Sequence, residues 1–248
     1  MVLSSAALAA QETPNALVVH QRSGEAEPFA IQLIDSITFP DEMVIHFHSG
    51  NKRHFQYADV TLIDFTTLPE SELYEAVDLG LTVRWATFNI GATAPEGYGD
   101  LFAWGETTAK ENYAETAYAY YKNGQYEYIG VNICTTKYDV AKQLWGGSWR
   151  LPTRSEIRDL TTLCTWELET LNGINGYRVT GPTGNSIFLP AAGYQDGMER
   201  KEAGTGGFYW SGNLNRSMTS AAYNLNFRGY DEEWSASRAY GFSVRAVK

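Results

Sequence analysis

All seven tryptophans of this 248-residue chain lie after residue 84. Most stand in short, glycine-bounded runs: Trp104-Gly105-Glu106, Trp145-Gly146-Gly147-Ser148-Trp149-Arg150-Leu151-Pro152-Thr153 and Tyr209-Trp210-Ser211. Glycine lets the backbone turn where other residues cannot, and a large aromatic ring supplies much buried area from one position. Runs that combine the two predict a fold held by irregular, aromatic-anchored loops rather than by long helices.

The first part of the chain has a different character. Ala16 to His20 is apolar and β-prone, and Phe29 to Ile34 follows a turn at Gly24, so the two predict a hairpin. Ser36 to Phe39 ends at Pro40-Asp41, a turn signal. Met43 to His48 alternates, with Val44, His46 and His48 on one face and Ile45 and Phe47 on the other. His54 to Tyr57 and Val60 to Phe65 complete five or six short strands, which predict a small antiparallel β module over residues 16–68. Thr66 to Glu75, with Pro69 and Glu70-Ser71-Glu72, reads as the boundary before a second domain over 76–248.

Histidine vanishes in that second domain, and every tryptophan falls in it. Tyr138 to Leu144 predicts a short helix. The best helix starts at Thr153-Arg154-Ser155-Glu156, a capping box, and repeats Ile157, Leu160 and Leu163 at helical spacing. Short strands follow at Gly176–Thr180, Ser186–Leu189, Gly207–Ser211, Ser220–Phe227 and Ala239–Val247. The whole reads as α+β with much loop.

Composition sets limits on function. The net charge is −10, and the basic pairs Lys52-Arg53 and Arg200-Lys201 do not amount to a phosphate-binding patch, so nucleic acid is not an expected partner. No run of 18 apolar residues exists to serve as a transmembrane segment. Residues 1–15 read as a flexible N-terminus or the tail of a secretory signal, with a cleavage-type Ala7-Leu8-Ala9. In an exported protein Cys134 and Cys164 could pair, closing a loop of about 30 residues worth about 3 kcal/mol; otherwise they are two buried thiols.

Several constellations could carry chemistry. His46, His48 and His54 are the clustered imidazoles, with a solvated strand face as the simpler reading. Glu96, Asp100 and Glu106 flank a Gly-Tyr-Gly loop that could offer oxygens to calcium, but their spacing matches no EF-hand, and carboxylates bonded to backbone amides account for it equally. The Arg150 and Arg154 guanidiniums flank the helix start. Either anion binding or an ion pair to Glu156 or Glu106 fits them. Without histidine, the second domain cannot form a Ser-His or Cys-His pair.

Read from Val77-Asp78-Leu79-Gly80-Leu81-Thr82-Val83-Arg84-Trp85-Ala86-Thr87 onward, the chain resembles a known family. The resemblance continues through Asn89 to Ala92, Gly99 to Thr107, Trp145 to Thr153, Cys164-Thr165-Trp166, Gly176 to Gly181, Ile187 to Tyr194, Tyr209-Trp210-Ser211 and Gly241 to Arg245. Over about 76–247 it resembles the Fibrobacter succinogenes major paralogous domain family of exported Bacteroidetes proteins. The resemblance implies a C-type-lectin-like domain, distantly similar to the formylglycine-generating enzyme and to tip adhesins. Those enzymes use a late cysteine pair, and here the last cysteine is Cys164. Calcium-dependent lectins carry a Trp-Asn-Asp motif, and here Trp210-Ser211-Gly212-Asn213 stands instead. Many members have cysteine at the position of Phe88.

The expected function is therefore a secreted or outer-surface protein that binds a glycan or protein ligand without catalysis and without a required cofactor. The competing readings are a formylglycine-generating-like enzyme or hydrolase, and a structural subunit of a surface filament. Trp104, Glu106, Trp145, Trp149, Arg150, Arg154, Glu156 and Arg245 are the expected structural anchors. Trp210, Asn213, Asn215, Tyr230, Asp231, Glu232 and Trp234 are the expected ligand contacts.

Overall fold

A computed structural model of the chain describes residues 14–31, 34–47, 52–68, 73–227 and 231–248. They fall into two compact units, one within the first 73 residues and one running from Tyr74 to Lys248. The described chain is built mostly of short antiparallel strands, with few helices. No helix among the described residues is long and apolar enough to cross a membrane.

The first unit has six strands, β1 (Ala16–Gln21), β2 (Ala26–Ala30), β3 (Ile34–Thr38), β4 (Met43–Phe47), β5 (Lys52–Phe55) and β6 (Val60–Thr66). They form two three-stranded sheets, ordered β2-β1-β6 and β3-β4-β5, rather than one. Leu17 and its neighbours on β1 are buried on both faces, so this strand occupies a sheet centre and takes partners on both sides. The expected hairpin partner for β1 ends at Ala30, and Ile34 opens β3, which pairs with β4 instead. Pro28 lies on β2 at the sheet edge, where its missing N–H removes no bond from the sheet's interior.

The second unit contains β7 (Ala76–Val77), β8 (Trp85–Ala86), β9 (Tyr121–Lys122), β10 (Gln125–Tyr126), β11 (Thr165–Leu171), β12 (Ile174–Thr180), β13 (Ser186–Pro190), β14 (Tyr194–Asp196), β15 (Glu199–Lys201), β16 (Gly207–Leu214), β17 (Ala221–Phe227) and β18 (Asp231–Ser237). Among the described residues of this unit the α-helices are α1 (Val140–Trp145) and α2 (Arg154–Leu163). The sheets β11-β12-β13 and β16-β17-β18 are both antiparallel, and α2 packs against the second. Ile157 and Leu160 of α2 meet Val179, Ile187 and Leu189 of the first sheet and Tyr209, Leu225 and Phe227 of the second in one core.

The last segment departs from its expected form. Residues 239–247 are nearly all buried yet make no regular strand. Their backbone exchanges bonds in turn with Gln195, Phe102, Phe208 and Trp210, Ile90, Ala86 and Arg150. A strand pairs with neighbours along its length, whereas this segment changes partner every residue or two, so it stitches loops together at the centre of the unit. β11 and β18, which carried no strand expectation, complete the two larger sheets.

Candidate functional site

The expected anchors are buried or bonded. Trp104 and Trp210 donate their indole N–H groups to the carbonyls of Ser211 and Phe102, at 2.9 and 2.7 Å. Trp210 also stacks on Phe242 at 4.2 Å. Trp145 stacks on Tyr74 at 4.2 Å and meets Trp149 edge-on. Glu106 accepts from Lys110 and from the Ala119 amide. The indoles of Trp104 and Trp210 and the carboxylate of Glu106 thus have partners inside the protein, whereas the buried indole N–H groups of Trp145 and Trp149 have no hydrogen-bond partner.

The helix start is built as its sequence implies. Thr153 accepts the Glu156 amide while the Glu156 carboxylate accepts the Thr153 amide, completing the capping box. Arg150 forks onto Glu156 at 2.8 and 2.6 Å. Burial works to raise the Glu156 carboxyl, but the bonds from Arg150 and Thr153 overcome it and hold the group below its usual value. Arg154 lays its guanidinium over the Tyr223 ring at 3.8 Å.

Arg245 is the most deeply embedded of these residues. Its guanidinium is 1% exposed and donates to Asn89 Oδ1 and to the carbonyls of Ala86, Thr87 and Phe188. Burial pulls its pKa down to about 10. Four oxygens from two segments, residues 86–89 and strand β13, thus converge on one side chain of the stitching segment.

The expected ligand contacts fare differently. Trp210 is not a surface residue: at 1% exposed, between Phe242 and the Phe102 carbonyl, it has no face left for a ligand. Asn213 Oδ1 accepts the Arg154 amide at 2.7 Å, which makes it part of the helix start. Asn215 bridges Ser217 and Ser235 and holds its own turn. Tyr230 lies outside the described residues, and for Asp231 and Glu232 only their place at the start of β18 is described. Trp234 is 54% exposed.

The metal candidates do not assemble among the described residues, which contain no group of three His, Cys, Asp or Glu side chains placed to share an ion. His46 bonds Thr38, His54 bonds Glu42, and His48 lies outside the described residues. Glu96 accepts from Asn172. Cys134 and Cys164 are both free thiols. Cys134 packs where Gly212 leaves space and donates to the Leu151 carbonyl, and burial pushes its thiol up to about 12, far from a reactive thiolate.

A cleft that the sequence reading did not single out lies beside β11 and β12. Its volume is about 310 Å³, at the small end of the range for ligand sites. Phe227, buried, and Tyr177, half-buried, supply its aromatic surface, with their rings 5.1 Å apart. Thr170, Asn175 and Thr205 supply its polar side chains, and the exposed Leu168 stands at its rim.

The hydrogen bonding around this cleft is uneven. Arg178 donates to Glu169 Oε1 at 2.6 Å. Glu169 Oε2 is shielded from solvent and has no hydrogen-bond partner. The Thr170 hydroxyl donates to Asn175 Oδ1, and the Thr205 hydroxyl donates to the Glu202 carbonyl. Each hydroxyl proton is thereby committed within the protein, leaving oxygen lone pairs as acceptors. The cleft therefore offers hydroxyl oxygens as acceptors, while the Glu169 carboxylate, opposite Gly176, turns with Arg178 to the other face of the hairpin.

One sequence signal marks a close backbone approach to the neighbouring strand β13 beside this cleft. Gly176 sits inside a strand, directly opposite Glu169. An isolated glycine within a strand marks a close backbone approach or a space. A Cβ on Gly176 would stand 2.4 Å from the Leu189 carbonyl oxygen. A second polar pocket, around Glu106 and Lys110, differs in that Lys110 satisfies Glu106 from within.

Comparison of the chain with protein-family models, with curated proteins and with solved structures finds no match in any of the three.

Proposed function

We propose that this chain is an exported or outer-surface binding protein whose second unit holds a polar ligand, a glycan or a segment of protein, without catalysis. The observation that carries the reading is a cleft of about 310 Å³ that sets the rings of Tyr177 and Phe227 beside the side chains of Thr170 and Asn175, where a polar ligand has room to lie. The rings give such a ligand an apolar face to rest on.

Binding suits this cleft better than hydrolysis. Glu169, the one acid among the described residues around it, is tied to Arg178 on the other face of the hairpin, whereas hydrolysis of a glycosidic bond generally uses two carboxyl groups flanking the bond. Placement in the Fibrobacter succinogenes major paralogous domain family, with a C-type-lectin-like second unit, is part of the same proposal and rests on the ordered motifs from Val77 to Arg245. Export rests on the signal-like composition of residues 1–15 and on the habit of that family.

The test is a screen of the purified chain against immobilised glycans and surface proteins, run in parallel with Thr205→Tyr. Thr205 is exposed at the cleft, so a larger ring there fills the space with little demand on the fold. The expected result is a ligand retained by the original chain and lost by the variant. A ligand retained equally by both, or no ligand at all, overturns the reading.

A further inference from the structure

We infer that β6, the last strand of the first unit, is a docking edge for a second copy of this chain, the two β6 strands pairing antiparallel about a two-fold axis at Ile63. This goes beyond the ligand-binding reading and does not depend on the cleft.

Backbone direction decides which groups β6 turns outward. Gln21 donates to the Glu25 carbonyl on the β2 side of β1, and Arg22 donates to the Asp59 carbonyl on the β6 side. Consecutive residues of a strand address opposite neighbours, so Ala16, Val18 and His20 exchange bonds with Thr66, Asp64 and Leu62, the residues opposite them. Ile63 and Phe65 therefore direct their N–H and C=O groups to the outer edge, where no strand among the described residues pairs with them. A bulge falls near Val60, at the start of β6, and leaves residues 62–66 regular.

The other sheet edges of this unit carry features that discourage pairing. Pro28 stands on β2, β5 opens on Lys52-Arg53, and β3 is interrupted by a bulge between Ile34 and Ser36. β6 carries a single charge, Asp64, and neither proline nor glycine. Its apolar face is also incompletely covered. Ile63 and Phe65 lie opposite Val19 and Leu17, which are fully buried, and Phe29 on the same face meets Phe55 of β5 edge-on at 5.9 Å. Phe65 is nevertheless 57% exposed, because the sheet ends beside it.

Self-complementarity and charge select the occupant and its register. Ile63 is the midpoint of the seven-residue strand, so a two-fold axis there overlaps the whole of β6 with its copy. Ile63 then faces Ile63 of the second copy, and their outward groups exchange both bonds. Asp64 faces Leu62 of the second copy. Moving the axis to Asp64 would set two like charges directly opposite each other, which is unfavourable. In the register at Ile63 the side chains of Ile63 and Phe65 from both copies share one face of a continuous sheet. Seven residues a side is fewer than the about 20–30 of a standard interface, so the association is weak and reversible.

The experiment is sedimentation velocity of the full chain from about 1 to 500 µM, run beside Ile63→Pro, Leu62→Asp and Leu62→Lys, with melting temperatures recorded for all four. The original chain is expected to pass from monomer to dimer with a dissociation constant on the order of 100 µM. Ile63→Pro removes an N–H that points outward and leaves the bonds to β1 in place, and is expected to weaken the dimer at least about tenfold. Leu62→Asp sets a carboxylate against Asp64 of the second copy, whereas Leu62→Lys sets an opposite charge there. Leu62→Asp is expected to dimerise at least about fivefold more weakly than Leu62→Lys. Leu62 is more than half exposed, so this pair stays decisive even where Ile63→Pro lowers the melting temperature. A chain that remains monomeric up to about 500 µM overturns the inference. So does a dimer left unchanged by Ile63→Pro, or one in which the two Leu62 variants associate equally.

Discussion

Both carboxylate oxygens of Asp139 accept the backbone amide of Leu151, at 3.1 and 3.0 Å. The same fully buried carboxylate accepts the amides of Thr135, Ala141 and Lys142. It therefore caps α1 and fixes the chain twelve residues later, where the Trp149-Arg150-Leu151 run enters the core. Asp139→Ala would leave four amides without this acceptor. The expected loss is at least about 3 kcal/mol, since each buried unsatisfied group costs about 1–3 kcal/mol. Asp139→Asn keeps one acceptor oxygen and is expected to lose less. Denaturant unfolding of the two variants checks the order.

Arg245 supports a parallel prediction. Its guanidinium reaches Asn89, Ala86, Thr87 and Phe188 through a planar fork that a lysine ammonium cannot reproduce. Arg245→Lys is expected to destabilise the chain by about 3 kcal/mol or more, because several buried acceptors lose their donors together. Thermal unfolding measures it, and a melting temperature within a degree or two of the original would refute the role given to this side chain.

The helix start carries a pH dependence. The folded Glu156 carboxyl lies below its ordinary value, so its contribution is complete above the ordinary carboxyl range and is lost as pH falls through the lowered folded value. Glu156→Gln removes the charge but keeps the shape. The stability gap between the original chain and this variant is expected to be widest near neutral pH and to close on acidification below about pH 4. Thr153→Ala, which removes the cap hydroxyl, is expected to cost about 1 kcal/mol. Urea titrations across pH give both quantities.

Trp210 and Trp234 should separate cleanly. Trp210→Ala empties a buried site and breaks a bond to Phe102, with an expected cost of about 3–5 kcal/mol. Trp234, more than half exposed, is expected to cost less than about 1 kcal/mol when truncated. Comparative unfolding of the two alanine variants decides whether the tryptophan at 210 is framework.

These contrasts mark how far the sequence could be read. The capping box at Thr153 was legible because it is a local pattern of four residues whose chemistry closes on itself. The strands near Gly176, Ser186, Gly207 and Ser220 were legible from turn residues and β-branched runs. The segment after Arg238 was apolar enough to resemble a strand, but its partners lie in six distant places, and no local pattern records that. The β module presented the right number of strands, yet pairing between its first and last strands depends on contacts far apart in sequence. Asn213 and Asn215 looked like exposed contacts because polar residues in loops usually are; here their amides satisfy backbone and hydroxyl groups instead. The cleft was hidden for a related reason, since Thr170, Asn175 and Thr205 come together only when a hairpin folds against a later loop.

The most direct test of the account is a nuclear magnetic resonance titration of the isotope-labelled chain with a glycan retained in the screen. The account predicts amide shifts concentrated at residues 168–177 and 203–205, absent in Thr205→Tyr. Shifts concentrated instead around Tyr223 and Trp234, with the cleft amides unmoved, would contradict it.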